Sequence, residues 1–270
     1  MKKIILSVVA VALFAVHTQA QISVGVRGGF NLTNAIMVDW EGERMNYEHF
    51  GSNDSARIGF TPGFQVGLVV NIPISESFVI QPGLLFATQG ARSQWFEHER
   101  EEDVDGWWRE RRERTSINLN YIQIPINAQI RLPFGNDGAF LINAGPYLGI
   151  AIGGRDTWEG RANGEFRNSD GETTSWRAGE GDFHRIQFGS NTDAEQFFSR
   201  FDFGIGAGLG VQFGNFQIGV NYQFGLINIM NQWETDRWNA DLGDWEDFTT
   251  ENSFRNHGLS FTVTYMFGGR

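Results

Sequence analysis

The 270-residue chain contains no cysteine. That excludes disulfides, thiolate metal sites, cysteine nucleophiles and a lipid-bearing N-terminal Cys. Lysine is confined to Lys2 and Lys3, so every later positive side chain is an arginine or a histidine. The formal net charge is −11, and with no basic arm to displace counterions from phosphates the composition excludes a nucleic-acid partner. A membrane helix is missing too: the apolar run at 4–16 has thirteen residues, short of the roughly 20 that span a bilayer.

What the N-terminus does have is Lys2-Lys3, that apolar run, and Thr18-Gln19-Ala20. These are the charged, apolar and small-residue parts of a secretory signal. They predict a signal peptide at 1–20, cleavage after Ala20, and a single mature domain at 21–270. An exported chain without a spanning helix enters a membrane only as a closed sheet, because lipid leaves no water to satisfy an open edge.

Eight stretches alternate with a period of two: 22–32, 58–72, 78–88, 117–131, 140–152, 201–213, 216–226 and 259–267. In 201–213, Phe201, Phe203, Ile205, Ala207, Leu209, Val211 and Phe213 alternate with Asp202, Gly204, Gly206, Gly208, Gly210 and Gln212. In the fourth stretch Ile117 and Leu119 have the opposite parity to Ile122, Ile124 and Ile126. Either a bulge near Tyr121 resets the phase or these residues stand above the membrane. A soluble sandwich or lipocalin-like barrel would carry solvated Lys, Glu and Asp on its polar face. Here that face is Gly, Asn, Gln, Ser and Thr, with Arg27, Arg131 and Asp202 among the few charges.

Connections at 73–77, 132–138 and 214–215 are short, whereas those at about 35–57, 91–115, 153–200 and 230–255 are long. The expectation is therefore an all-β, eight-stranded, antiparallel, up-and-down transmembrane barrel with short periplasmic turns and four long extracellular loops. Its lumen is expected to hold a polar network of Arg27, Gln65, Gln81, Gln123, Asn127, Arg131, Asn143, Asp202 and Asn221. In that network Asp202 is expected to pair with Arg27 or Arg131, since an unpaired buried charge is costly, and the glycines of 204–210 are expected to make room for larger neighbours. An eight-stranded barrel is barely wide enough for its own side chains, so free diffusion of solutes is not expected.

The residues also resemble a known family, the outer-membrane β-barrel proteins of Bacteroidetes called porin-family or PorT-like. The likeness rests on VGVRGGFNLTN, FTPGFQVGLVV, FVIQPGLLFATQGAR, NYIQIPINAQIRL, INAGPYLGI, DFGIGAGLGVQF, FQIGVNYQFGLINI and LSFTVTYMF. It implies an outer-membrane, eight-stranded barrel without an assigned chemistry, placed by barrel-assembly machinery. One departure is that Phe267 is followed by Gly268-Gly269-Arg270, so the terminal aromatic residue read by that machinery is not last.

The long connections hold all nine tryptophans and 29 of the 32 acidic residues. Trp40, Trp95 and Trp233 suit an interfacial girdle. Trp95, Trp107, Trp108, Trp158, Trp176, Trp238 and Trp245 suggest either strands continued as an outer ribbon, with Trp packed on Arg stems, or a recognition surface for an extracellular protein or glycan. The segment 95–114 changes sign about Asp105-Gly106, a hairpin turn signal, and is expected to fold as a self-contained hairpin with opposite charges facing. Calcium at Glu101, Glu102, Asp103 and Asp105 is the weaker reading, because the twelve-residue loop pattern is missing.

GIGAGLG does not meet the dinucleotide spacing, and no helix follows it. The histidines form no H-E-x-x-H pair, and His257 and Ser260, the nearest approach to a catalytic pair, differ in parity. No cofactor, no metal and no enzymatic activity are expected. The partners expected are outer-membrane lipid and lipopolysaccharide, the assembly machinery and an extracellular ligand. A membrane anchor that presents its loops is the first reading of function. A narrow channel or an accessory of transport or secretion is the second, and a lipid-modifying enzyme the third.

Overall fold

Alternation of apolar residues with Gly, Asn and Gln suits a pleated strand that has a different environment on each side. In a computed structural model, which describes residues 22–38, 55–100, 108–167, 173–186, 188, 198–230, 234–239, 244–249 and 253–268, all eight stretches lie in strands. They are β1 (Ser23–Val38), β2 (Ser55–Pro73), β3 (Phe78–Arg100), β4 (Trp108–Phe134), β5 (Gly138–Arg167), β7 (Phe201–Phe213), β8 (Phe216–Gly225) and β11 (Ser253–Phe267). Three more strands fall between them: β6 (Thr173–Arg185), β9 (Glu234–Asn239) and β10 (Asp244–Thr249). Among the described residues there is no helix.

Every ladder between these strands is antiparallel. The order β4-β3-β2-β1-β11-β8-β7-β5 is closed by β4 pairing with β5, which makes a ring of eight. Closure leaves no sheet edge within the ring, the condition for a sheet to sit in lipid. Ring closure also brings the first and last strands together, with Val24 opposite Phe267 and Leu32 opposite Leu259. At one end the strands are joined by tight turns, such as that at Gly214, whose φ of 53° falls in the left-handed region favoured by glycine.

The outward face is apolar. Phe30, Phe64, Leu68, Leu84, Ile126, Phe140, Ile205, Leu209, Ile218, Val220, Phe261 and Val263 are all exposed, around the whole ring and on alternate residues. Such a continuous apolar band would be an aggregation liability in water, and it is what hydrocarbon requires. Inside, the short-turn end and the middle are mainly polar, with a small apolar cluster of Val69, Leu85 and Met266, while the long-loop end is closed by a larger one of Ala35, Ala91, Leu119, Tyr121, Ala151, Phe198, Ile229 and Phe254.

That cluster settles the parity of β4. Leu119, Tyr121 and Gln123 are all buried and all face inward, so the strand keeps its phase and Ile117 and Leu119 belong to the apolar cap. The bulge lies on the partner strand. Tyr121 faces Ala151 while Asn120 faces Gly153, leaving Ile152 as the extra residue of β5.

Beyond the ring, β3, β4 and β5 run on and β6 adds a fourth strand, so much of 91–115 and 153–200 is sheet and not loop. The two arms of 95–114 do pair, with Glu97 opposite Arg111 and Glu99 opposite Arg109. They are not a self-contained hairpin, however: they are the ends of β3 and β4, and β5 pairs along β4's other edge. The turn at Asp105-Gly106 and the acidic residues Glu101, Glu102, Asp103 and Asp105 lie outside the described residues.

Candidate functional site: the lumen and the outer sheet

Inward-facing residues of the ring meet at its axis in three groups. Nearest the short turns, a chain of amides joins two arginines. Arg27 donates through Nη2 to Gln81 Oε1 at 2.5 Å and through Nε to Thr264 Oγ1 at 2.9 Å. Gln81 Nε2 then donates to Asn71 Oδ1 at 2.7 Å and to Gln217 Oε1 at 3.3 Å. Gln217 passes the chain to Gln212 Oε1 at 3.2 Å, which also accepts from Arg131 Nη2 at 2.9 Å. Neutral acceptors thus surround both cations, which spreads their charge over several dipoles.

At mid-height Gln123 and Gln223 exchange amide hydrogen bonds of 3.2 and 3.4 Å across the lumen. Beneath the apolar cap, Asp202 is buried and its Oδ2 accepts from Tyr147 Oη at 3.3 Å and from Asn256 Nδ2 at 3.0 Å. Asn256 also donates to Tyr121 Oη at 3.3 Å. Asp202 Oδ1 has no hydrogen-bond partner. The expected ion pairs are not formed: Arg27 and Arg131 bond only neutral side chains near the short turns, while Asp202 sits in the opposite half of the lumen.

Of the other lumen residues named from sequence, Asn221 donates to Thr262 Oγ1 at 3.4 Å and Gln65 is buried beside Gly29. Asn127 and Asn143 face inward opposite Gln81 and Gln129, with no hydrogen bond to one another. Sequence reasoning missed Tyr121, Tyr147, Gln212, Gln217, Gln223 and Asn256. The glutamines were legible from parity alone, whereas Asn256 lay just past the assigned end of a loop. A cavity of ≈ 10 Å³, room for about one water, lies beside Tyr147 and Asn256.

His257 and Ser260 leave β11 on opposite faces, as their parity requires: Ser260 is buried, and His257 meets Tyr222 Oη at 3.1 Å on the outer surface. Among the described residues no group of His, Cys, Asp and Glu has metal-binding geometry.

Outside the ring, the four-stranded extension has two unlike faces. The face continuous with the lipid-facing side carries Arg92, Arg112, Arg114, Arg155, Arg161, Arg177 and Arg185, with Glu110 and Glu159. Arg112 pairs with Glu110 at 3.1 Å and Arg114 with Glu159 at 3.7 Å. The opposite face carries Glu113, Asp156, Glu180 and Asp182, with Arg111 paired to Glu113. Burial raises the Asp156 carboxyl above its ordinary value, against the smaller lowering effects of His184 and the Thr157 amide.

Of the candidate recognition tryptophans, Trp158 is half-buried on β5 over Gly160. Trp95 and Trp108 are on β3 and β4, Trp176 is on β6 opposite Gly164, and Trp238 faces Trp245 across the β9–β10 ladder. With Trp158 these six lie in strands, the arrangement of the outer-ribbon alternative. Trp40, Trp107 and Trp233 lie outside the described residues.

The family model described as outer membrane protein beta-barrel domain matches residues 18–231. The chain belongs to that family. The matched barrel segment stops short of β11, and the ladders of β11 with β1 and β8 complete the ring. No curated protein sequence matches the chain. Among solved structures it is similar to the attachment invasion locus protein Ail of Yersinia pestis, at 10% identity and a TM-score of 0.28, covering 93% of this chain and 100% of that one. It is similar to Neisserial surface protein A at 12% and 0.32, covering 91% and 98%. For the outer membrane protease OmpT from Escherichia coli the values are 8% and 0.31, covering 91% and 97%. The family match and the closed ring make this an outer-membrane β-barrel protein located in that membrane.

Proposed function

We propose that this barrel is a non-conducting anchor, exported by residues 1–20, inserted by the assembly machinery, and turned so that its long strands and loops stand outside the cell. The observation that carries this reading is the filled lumen: amide ladders occupy the lower and middle parts, and the cluster around Leu119, Phe198 and Phe254 stops the upper end. Such a filling supports a barrel closed to solutes. The presented part is the β3–β6 extension with the β9–β10 hairpin, and its role is structural support or recognition of an extracellular protein or glycan. The test is single-channel recording in planar bilayers, where the chain is expected to give no steady openings.

A second reading, a narrow channel or an accessory of transport or secretion, draws on the PorT-like resemblance and on the continuous row of amides between Arg27 and Arg131. Steady conductance abolished by Arg27→Met favours it over the anchor. An enzyme is the least supported reading, because His257 and Ser260 face apart. Replacing His257 by Ala is expected to change no lipid-modifying or proteolytic activity.

A further inference from the structure

The arginine face of the β3–β6 extension is arranged at a cost. Arg155 lies directly opposite Arg185, and Arg112 directly opposite Arg161. Like charges on facing positions of a ladder repel. For Arg92, Arg155, Arg161 and Arg185 no carboxylate among the described residues is within ion-pair distance, and Arg92 Nε is buried without any hydrogen-bond partner. Glu110, Glu159 and Glu165 share this face, while Asp156, Glu180 and Asp182 point to the other side of the same sheet.

Position says what could offset that cost. These arginines stand on the side of β5 that, below the bulge at Ile152, faces lipid. Ile152 is exposed in the apolar band. Arg155 follows three residues later and Arg161 nine, about 10 and 30 Å along the strand, and less in height because barrel strands tilt. The headgroups of the surrounding outer leaflet occupy that zone. Guanidinium forks match phosphate oxygens with paired, charge-assisted hydrogen bonds.

The lining argues for a saccharide that bears phosphate over a protein partner. A cavity of ≈ 150 Å³ is lined by Gln94, Arg112, Glu113, Arg114, Glu159 and Arg161, and one of ≈ 500 Å³ shares Arg112 and Arg161 and adds Glu110, Asn163 and Arg177. These walls offer donors and acceptors for hydroxyls and phosphates. The walls of these two cavities hold no aromatic side chain of the kind that anchors a protein interface, and Phe183, exposed farther along the same face, lies under the Arg155 guanidinium at 5.3 Å from its ring centre.

We propose that this face binds the phosphorylated saccharide headgroups of the lipopolysaccharide around the barrel, gripping them with Arg92, Arg112, Arg114, Arg155, Arg161 and Arg185. The assignment rests on the outer-membrane barrel with its long-loop end outward, and it specifies which surface meets the leaflet and through which chemical group.

The experiment uses the full chain folded in phosphatidylcholine bilayer discs, titrated with lipopolysaccharide and with the same lipopolysaccharide after its phosphates are removed. The parent is expected to bind the phosphorylated form at least about tenfold more tightly. A variant with Arg112→Gln, Arg114→Gln and Arg161→Gln is expected to lose that preference, and one with Glu180→Gln and Asp182→Asn on the opposite face to keep it. Equal binding of both forms by the parent overturns the proposal, as does a preference undiminished in the triple arginine variant, or one lost equally in the opposite-face variant. Heat-modifiable gel mobility reports the barrel separately, so a parent that is an intact barrel yet ignores phosphate counts against this face alone.

Discussion

Tyr147 lies across Gly204: a β-carbon on residue 204 would stand 2.6 Å from the ring's Cε1 and closer still to the carbonyl oxygen of Phe224. The alternating glycines of β7 thus lie beside lumen side chains of neighbouring strands, Tyr147 at Gly204 and Asn221 at Gly208. Gly204→Ala forces a shift in backbone as well as ring. It is expected to cost about 1–3 kcal/mol or more, read as a lower temperature for the heat-modifiable gel transition. An unchanged transition would mean that Tyr147 is free to move aside.

Asp202 is buried among neutral partners, with one oxygen unpartnered. A buried charge without a counter-charge costs more than a neutral amide of the same shape. Asp202→Asn is therefore expected to leave the barrel at least as heat-stable as the parent. Because Arg27 bonds only Gln81 and Thr264, the effects of Arg27→Met and Asp202→Asn are expected to add to within about 0.5 kcal/mol in a double-mutant cycle. A coupling well above that would restore the ion pair inferred from composition.

Asp156 stands four residues beyond Ile152, above the apolar band, and burial raises its carboxyl. The folded protein then holds this proton at a pH where the unfolded chain has lost it, so stability falls as pH rises through that window. Asp156→Asn removes the effect. The variant is expected to melt above the parent at neutral pH, with the gap closing as pH drops below the ordinary carboxylate range. A gap that widens in acid contradicts this.

The apolar cap is held by contacts such as the edge-to-face pair of Phe198 and Phe254, 5.4 Å between ring centres. Phe254→Ala is expected to cost about 3–5 kcal/mol, measured by denaturant unfolding in detergent or lipid. If that variant also conducts in planar bilayers while the parent is silent, the cap is the seal. A change near zero would place the cap's stability elsewhere.

How much of this was legible in the sequence depended on whether one face of a segment was apolar. In 201–226 every outward position is apolar and every inward one is glycine, amide or Asp202, so strand, face and turn all follow. In β6, β9 and β10 both faces are polar, as in TTSWRAGEGDFHR, and periodicity carries no signal there. Ile117 and Leu119 showed a parity conflict but not its cause. The apolar cap they join is completed by Phe198, Ile229 and Phe254, which come from distant connections. The Arg27–Asp202 pair failed because opposite charges on inward positions say nothing of height along the barrel axis.

The central claim is that hydrocarbon touches the outward positions of every strand, and the cysteine-free chain makes it directly measurable. A nitroxide attached at Ile218→Cys, with one at Asn215→Cys in the neighbouring turn as aqueous reference, is read for collisions with oxygen and with a water-soluble nickel complex in a lipid bilayer. The label at 218 is expected to meet oxygen and be shielded from nickel, with the reverse at 215. Free access of nickel to 218, equal to that at 215, would contradict the account.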